Sequence, residues 1–207
     1  DYALFASRYG LDKPANFEGQ WHLHAYRNYT ELAEKFGSNE NMIRDRLHAA
    51  RIKLFNAREH RVHPGLDDKI LTAWNGLMIR GMAHAGYKLD NTTYIESAAS
   101  AADFIYQHLW QNQRLLATAR HEHAHLNAYL DDYAFMISGL IELLQARWDS
   151  KWLHWAQQLA DILIERVEDK SSGGFYFTSH DHEQLIQRSK SYSDDATPSG
   201  NGVAAES

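Results

Sequence analysis

Three pairs of adjacent aspartates are the residues whose type and spacing could do chemistry in this sequence. The intervals between them are 64 residues (67 to 131) and 63 residues (131 to 194), and the pairs are Asp67-Asp68, Asp131-Asp132 and Asp194-Asp195. Carboxylates held at a defined separation can act as an acid and a base, as in glycoside hydrolysis. The same acids could instead only cap helices at the positive end of the helix dipole. The elements around the pairs must decide between the two interpretations.

The aspartate pairs belong to a longer internal repeat. Each pair is followed at nearly the same distance by Asn or Ser, then Gly and an aliphatic residue, in Asn75-Gly76-Leu77, Ser138-Gly139-Leu140 and Asn201-Gly202-Val203. Self-similarity at a fixed period indicates stacked structural units. Between these positions, Ile70 to Ala85 and Ala134 to Leu144 are apolar on almost every side. Tyr94 to Leu109 and Trp152 to Leu163 are apolar on one side only, which is typical of outer helices.

This alternation predicts an all-α fold of helical-hairpin repeats in an inner and an outer layer. Because a single hairpin cannot bury its inner helix, neighbouring hairpins must stack. We predict hairpins over about residues 25–60, 66–110 and 130–168, and the start of a further one at 194, all in one domain covering 1–207. A short strand is expected at Phe175 to Thr178. An irregular helical bundle is the alternative.

The composition excludes several classes of function. The 207 residues include no cysteine, so disulfides and thiol nucleophiles are excluded, and a reducing, cytoplasmic location is expected. The net charge of -6 argues against a nucleic-acid partner. No stretch reaches the length of a transmembrane helix, so no membrane partner is expected. Both ends of the sequence look like cuts through a longer chain.

Six motifs that together span essentially the whole chain resemble one known family in the same order. They are residues 16–19 (NFEG), 63–79 (HPGLDDKILTAWNGLMI), 130–134 (LDDYA), 173–176 (GGFY), 188–190 (RSK) and 198–201 (PSGN). The family is that of the YyaL-type proteins, the thioredoxin-domain-containing relatives of the mammalian spermatogenesis-associated thioredoxin-like protein.

The resemblance implies an N-terminal thioredoxin-like domain, absent here, followed by a six-hairpin α/α toroid. That toroid is similar to those of N-acylglucosamine 2-epimerases and six-hairpin glycosidases. The sequence would then be a partial (α/α)6 toroid whose ring cannot close from one copy. Its exposed side face predicts self-association between copies.

In such a toroid, inner helices that start at the aspartate pairs would place acids at the mouth of the central cavity. We predict Asp68 and Asp132 as the catalytic acid and base. Aromatic and polar side chains would bind the substrate, and the candidates are Trp74, Asn75, Tyr133, Phe175, Tyr176, Arg188, Lys190, Asp195 and Asn201.

A small polar constellation near the third pair suggests a charged group on the substrate. With Pro198 at a first helical position, free amides beside Arg188 and Lys190 could hold a phosphate or carboxylate. The alternative is that both cations form salt bridges with Asp194 or Asp195.

His121, His123 and His125 are the remaining candidates, for a metal site. Alternate residues share a face only in an extended segment, and an exposed loop is the expectation. We therefore predict no metal and no cofactor. The function favoured by this sequence is that of a carbohydrate-acting domain, isomerase- or epimerase-like or glycosidase-like, binding a sugar or sugar phosphate. The alternative is a non-catalytic ligand- or protein-binding scaffold attached to a thioredoxin-like domain.

Overall fold

A computed structural model of the chain describes residues 1–121, 123–183 and 185–207. This part of the chain is mostly helical, and its helices are α1 (Tyr2–Tyr9), α2 (Tyr29–Phe36), α3 (Glu40–Arg58), α4 (Thr72–Lys88), α5 (Thr92–His108), α6 (Leu130–Ala146), α7 (Ser150–Arg166) and α8 (Gly200–Glu206). Its strands are β1 (Ile70–Leu71), β2 (Trp110–Gln111), β3 (Arg114–Arg120) and β4 (His123–Asn127). Among the described helices, none has the length and apolar character needed to cross a membrane. The chain divides into two compact units, Asp1–Leu66 and Asp67–Ser207.

The first unit contains α1, α2 and α3 around a small apolar core. The core residues are Leu4, Phe5, Leu32, Ile43 and Leu47. Asn28 and Glu31 form a capping box at the start of α2, and Gly37 ends that helix in the left-handed conformation with φ of 58°. A glycine takes this conformation without steric cost, which fixes the end of α2 and the turn into α3.

The second unit has the two helical layers that the sequence predicts. The inner helices α4, α6 and α8 pack side by side, while α5 packs on α4 and α7 on α6 as outer helices. The central helix α6 is buried over most of its length, because it has an inner neighbour on each side and an outer one behind it. In α5 and α7 the buried residues follow one face, as expected of helices with solvent on the other.

A small antiparallel sheet corrects the all-α prediction. Strand β3 pairs with β1, β2 and β4, with Ile70 opposite Ala119 and Thr118 opposite His125. The sheet fills the connection from α5 to α6, where the sequence alone suggested an exposed loop. Residues 175–178 do not form the expected strand, and Phe175 makes only an isolated β-bridge with Glu168. Ala-rich β3 lacks the β-branched alternation that marks a strand in a sequence.

The glycines of the repeat let α4 and α6 approach each other closely. A Cβ atom on Gly76 would lie 2.6 Å from the carbonyl carbon of Phe135, and one on Gly139 would lie 2.7 Å from the Gly76 carbonyl oxygen. No real Cβ atom sits that close to a neighbouring backbone. Gly76 and Gly139 are therefore required by helix packing, independently of any chemistry at the aspartates.

We predict that Gly76→Ala or Gly139→Ala lowers the free energy of unfolding by about 1–3 kcal/mol, because the added methyl group overpacks the α4–α6 contact. Urea unfolding followed by circular dichroism measures the change. The matched control is Gly81→Ala, which lies on the same helix with nothing within 4 Å of its Cβ position. That change should stabilise the chain by about 0.5–1 kcal/mol through helix propensity. Equal effects at 76 and 81 would contradict the close contact.

Candidate functional site

A pocket of about 230 Å³ lies beside the start of α4 and the start of α6 in the second unit. Strand β1 leads into α4 on one side of it, and the segment before α6 closes another side. The residues that line it are Leu71, Ala73, Trp74, Ala117, Thr118, Leu126, Tyr129, Asp131, Asp132 and Phe177. The pocket therefore combines an apolar and aromatic wall with one acidic pair, the combination expected of a small-ligand site.

The aromatic part of the pocket is formed by three side chains from different segments. The Trp74 side chain is 64% exposed although it belongs to an inner helix. Tyr129 and Phe177 stack with ring centroids 4.9 Å apart and planes 15° from parallel. Phe177 also accepts the Leu130 N–H through its carbonyl oxygen at 2.9 Å, which holds this wall against the start of α6. The indole of Trp74 is thus an open apolar face beside a fixed aromatic pair.

Asp132 joins the starts of two inner helices. Its Oδ2 accepts the Tyr129 N–H at 2.8 Å, and its Oδ1 accepts the Ala73 N–H in the first turn of α4 at 2.9 Å. Leu71, at the N-cap position of α4, has no side-chain acceptor of its own, so the neighbouring helix supplies one. Burial raises the pKa of the Asp132 carboxyl to about 7, although the two N–H donors act in the opposite direction.

Asp131 connects α6 to the third inner helix. The Gly200 N–H donates to its carboxylate, and burial raises the pKa of this half-buried carboxyl. A Cβ atom on Gly200 would come within 2.2 Å of Asp131 Oδ1, so only glycine permits this approach. The second aspartate pair therefore serves three helix starts, as the capping interpretation expects, and also lines the pocket.

Asp68 lies elsewhere, before β1. Its Oδ1 accepts the Arg120 Nε–H at 2.6 Å, and this hydrogen bond lowers the pKa of the Asp68 carboxyl. It is not among the residues that line the pocket with Asp132. The physical reason is that the helix does not start at the first pair: β1 intervenes, and α4 begins at Thr72. The expectation that inner helices begin at every pair is wrong for this repeat.

Several predicted substrate-binding residues contact other parts of the chain and do not line this pocket. The Asn75 amide donates to the Leu71 carbonyl at 2.8 Å, and Tyr133 is 1% exposed inside the core. Asn201 holds Phe175 by bonds to both its N–H and its carbonyl, at 2.7 and 2.9 Å. Asp195 is exposed and donates its N–H to the Thr197 carbonyl. Of the predicted site residues, the pocket brings together Trp74 and Asp132.

The remaining candidates lie outside this pocket. Tyr176, Arg188 and Lys190 line a separate one, and Lys190 pairs with Asp169, not with Asp194 or Asp195. Across residues 1–121, 123–183 and 185–207, no group of three or more His, Cys, Asp or Glu side chains is arranged to hold a metal ion. His123 and His125 lie in β4, and His121 in the turn before it.

Sequence reasoning missed much of the pocket wall. Asp131 belongs to a predicted pair, but the predicted cavity residue of that pair is Asp132. Tyr129 directly precedes the predicted inner helix, and this position could have predicted that its side chain lies at the mouth of the cavity. Thr118 and Leu126 come from β3 and β4, and these positions follow only from the sheet that the sequence did not predict.

Comparison with known proteins agrees with this architecture. No family model matches the chain. Spermatogenesis-associated protein 20 from human is 33% identical to it over 98% of the chain, and the rat and mouse proteins are each 32% identical over the same share. The chain spans only 28% of the length of these relatives.

Two solved structures are similar in fold. A cellobiose 2-epimerase from Spirochaeta thermophila superposes with a TM-score of 0.51 at 19% identity, covering 59% of this chain and 32% of that one. A sugar epimerase from a ruminal bacterium gives a TM-score of 0.51 at 18% identity, covering 84% of this chain and 45% of that one. The chain therefore has the helical-hairpin fold of sugar epimerases, with a small sheet in addition.

The raised pKa of Asp132 predicts a pH-dependent stability. Between about pH 4 and 7 the unfolded chain loses the Asp132 proton while the folded chain keeps it, because the carboxyl pKa rises from 3.8 to about 7 on folding. Stability therefore falls with rising pH in this window, by up to about 4 kcal/mol, and levels off above it. In Asp132→Asn this component should vanish, as measured by urea unfolding at each pH.

The control for this test is Asp68→Asn. The pKa of the half-buried Asp68 is lowered on folding, so its contribution disappears only as the pH falls below about 4. The fall in stability between pH 4 and 7 should therefore persist in Asp68→Asn. An unchanged slope in Asp132→Asn would show that this carboxyl does not keep its proton in the folded chain.

Proposed function

We propose that the second unit, Asp67–Ser207, is a carbohydrate-acting domain that binds a sugar in the pocket between Trp74 and the Asp131-Asp132 pair. The observation that carries the proposal is the coincidence, in one pocket, of an open indole face and a buried carboxyl group with a pKa near 7. An indole provides the flat apolar surface on which a sugar ring packs, and the carboxylates accept hydrogen bonds from hydroxyl groups. The sugar-epimerase fold supports the assignment as an analogy.

The carboxylate arrangement favours an epimerase or isomerase over a glycoside hydrolase. Hydrolysis requires two carboxyl groups about 5–10 Å apart that flank the scissile bond. Here the two acids of the pocket are consecutive in the chain, and Asp68 lies outside the pocket, hydrogen-bonded to Arg120. Moving a proton beside a sugar carbonyl requires instead a group that gains and loses a proton near neutral pH. Asp132 has the pKa for this step, with Asp131 as its neighbour at the pocket surface.

We extend the proposal to the longer proteins by similarity. The chain would belong to the YyaL-type, thioredoxin-domain-containing family, in which one toroid domain follows a thioredoxin-like domain. Copies of this chain would associate through an exposed apolar part of α4 that includes Met78, which is 61% exposed.

A second candidate function is a non-catalytic scaffold. The observation in its favour is that the oxygens of Asp132 already accept two main-chain N–H groups. Under this alternative the acid pair only fastens helix starts, and the pocket takes no sugar. The experiments below separate the two candidates.

We predict that neutral sugars bind the chain and that Trp74→Ala weakens this binding at least about tenfold, since it removes the stacking surface. Glucose, mannose and cellobiose at up to about 100 mM are titrated while the melting temperature is followed, because ligands of the folded state raise it by mass action. The matched control is Trp148→Ala, whose side chain is 68% exposed between α6 and α7 and outside the pocket. Equal weakening in both variants, or no shift with any sugar, would favour the scaffold.

We also predict proton exchange at the carbon next to the sugar carbonyl. The chain is incubated with a reducing sugar in D2O near neutral pH, and loss of the C2 proton signal is followed by NMR. Asp132→Asn should abolish the exchange because an amide cannot carry the proton, while Asp68→Asn should retain it. Exchange that survives in Asp132→Asn would exclude this carboxyl as the base.

A further inference from the structure

A second pocket, of about 610 Å³, lies around Tyr176 in the same unit. Its lining residues are Asp169, Ser172, Tyr176, Gln187, Arg188 and Lys190. Tyr176 faces this pocket while the next residue, Phe177, lines the first. The Tyr176 pocket is therefore a distinct site with a different chemical character, polar and charged where the first is aromatic and acidic.

Arg188 is held in this pocket without a carboxylate partner. Its guanidinium carbon lies 4.1 Å from the centre of the Tyr176 ring, and its Nε donates to the Thr178 carbonyl at 3.1 Å. Its Nη2 donates to the same carbonyl. Within the described residues, no acidic side chain reaches it at ion-pair distance. Bonds to neutral carbonyls fix the side chain and leave its positive charge uncompensated.

The acid in the same pocket is already neutralised. Asp169 is 6% exposed and pairs with Lys190, which also donates to the Gly173 carbonyl at 3.0 Å. Ser171 donates to Asp169 through its hydroxyl and its N–H, at 2.6 and 3.0 Å. The hydrogen bond from Lys190 lowers the pKa of Asp169, and the same bond raises the pKa of Lys190. Both groups stay charged as a pair, so Asp169 does not offset the charge of Arg188.

A charged cluster of two arginines and two acids adjoins Arg188, whose Nη2 lies 3.5 Å from the Arg166 carbonyl oxygen. Arg114 binds Asp181 through two hydrogen bonds of 2.6 Å, and Arg166 donates to the same carboxylate at 2.8 Å. A second acid, Glu165, is 3.9 Å from Arg166 and 68% exposed, so solvent screens it. The charges of this cluster balance, so the excess positive charge at the pocket is that of Arg188, in a chain whose net charge is -6. Such a local excess attracts anions.

We propose that the Tyr176 pocket is a binding site for an oxyanion, the phosphate or carboxylate group of a small ligand, with Arg188 as its charged donor. A guanidinium suits this ligand because it is weakly hydrated and always charged, and the Nη1 group of Arg188 makes no hydrogen bond within the described residues, whereas Nε and Nη2 donate to main-chain carbonyls. The site does not depend on sugar binding beside Trp74.

This site differs from the one that the sequence suggested at the start of α8. There, the Gly200 N–H donates to Asp131 and the Gly202 N–H to the Ser199 hydroxyl at 3.4 Å. The Ser199 N–H in turn donates to Asp194 at 2.9 Å. Three of the amides at the start of α8 are therefore satisfied within the chain, and the binding group in the proposed site is Arg188.

Isothermal titration of the whole 207-residue chain tests the site. The probes are inorganic phosphate, glucose 6-phosphate, glucuronate and glucose, at one ionic strength set with KCl. We expect anionic probes to bind and Arg188→Gln to raise their dissociation constants at least about tenfold, because a charge-assisted hydrogen bond is lost. Arg188→Lys should retain part of the affinity. Phosphate that binds as tightly as glucose 6-phosphate identifies a free anion as the ligand, and preference for the sugar-borne groups identifies a sugar acid or sugar phosphate.

Two further variants keep the test independent of folding defects at Arg188. Ser172→Asp adds a negative charge at the exposed pocket edge without removing a contact of Arg188, and it should weaken anion binding by a similar factor. Lys170→Gln removes the same charge as Arg188→Gln from an exposed neighbour that forms no ion pair in the described part of the chain, and it should leave binding unchanged. No anion binding in the unmodified chain, or equal losses in Lys170→Gln and Arg188→Gln, would overturn the proposal.

The outcomes for the two pockets are separable. Anion binding that depends on Arg188, without any binding of neutral sugars, would support the Tyr176 site and contradict the sugar proposal. Neutral-sugar binding that depends on Trp74, without a preference for anions, would do the reverse.

Discussion

The second unit depends on one arrangement of hydrogen bonds, in which two neighbouring carboxylates accept main-chain N–H groups at the starts of three inner helices. Asp132 holds the first turn of its own helix and of α4, and Asp131 holds the first residue of α8. Unpaired N–H groups at buried helix ends cost about as much as lost hydrogen bonds. Since α4 has no side-chain cap of its own, its start is stable only beside α6. Hydrogen bonds to Asp131 and Asp132 therefore connect the three inner helices at their N-terminal ends, beside the pocket.

The same arrangement gives the pocket a carboxyl group with a raised pKa. A carboxylate that satisfies two buried N–H groups must itself be taken out of water, and for Asp132 burial outweighs the donors, so the pKa rises towards 7. Structural and chemical interpretations of the aspartate pair are thus compatible, because the contacts that fasten the helices also place an ionisable group at the pocket. A pure cap would serve equally well at a solvent-exposed helix end, where its pKa would stay low.

The segment that follows α7 separates two sites of opposite character. Asn201 binds the main chain of Phe175 on both sides, which anchors this segment to α8. Beyond that anchor, Phe177 lines the acidic and aromatic pocket. Tyr176 lines the cationic pocket, where its ring packs against the Arg188 guanidinium. A ligand with both a sugar ring and an acidic group has matching chemistry for both pockets, although each pocket is argued from its own contacts.

The sequence by itself determined the helices α2 to α7, the inner and outer layers of the second unit and the positions of the repeat, since apolar periodicity and glycine spacing are local signals. It also predicted Trp74 and Asp132 as site residues because both lie in the repeat motif, and the structure places the two in one pocket. Only the tertiary structure decided that β1 separates Asp68 from the pocket, that Asn201 binds the main chain of Phe175 and Tyr133 is buried, and that β3 and β4 complete the wall. The physical reason is that the surroundings of a side chain depend on which helix starts are brought together. Contacts such as Asp132 with Ala73, 59 residues apart, leave no local pattern in the sequence.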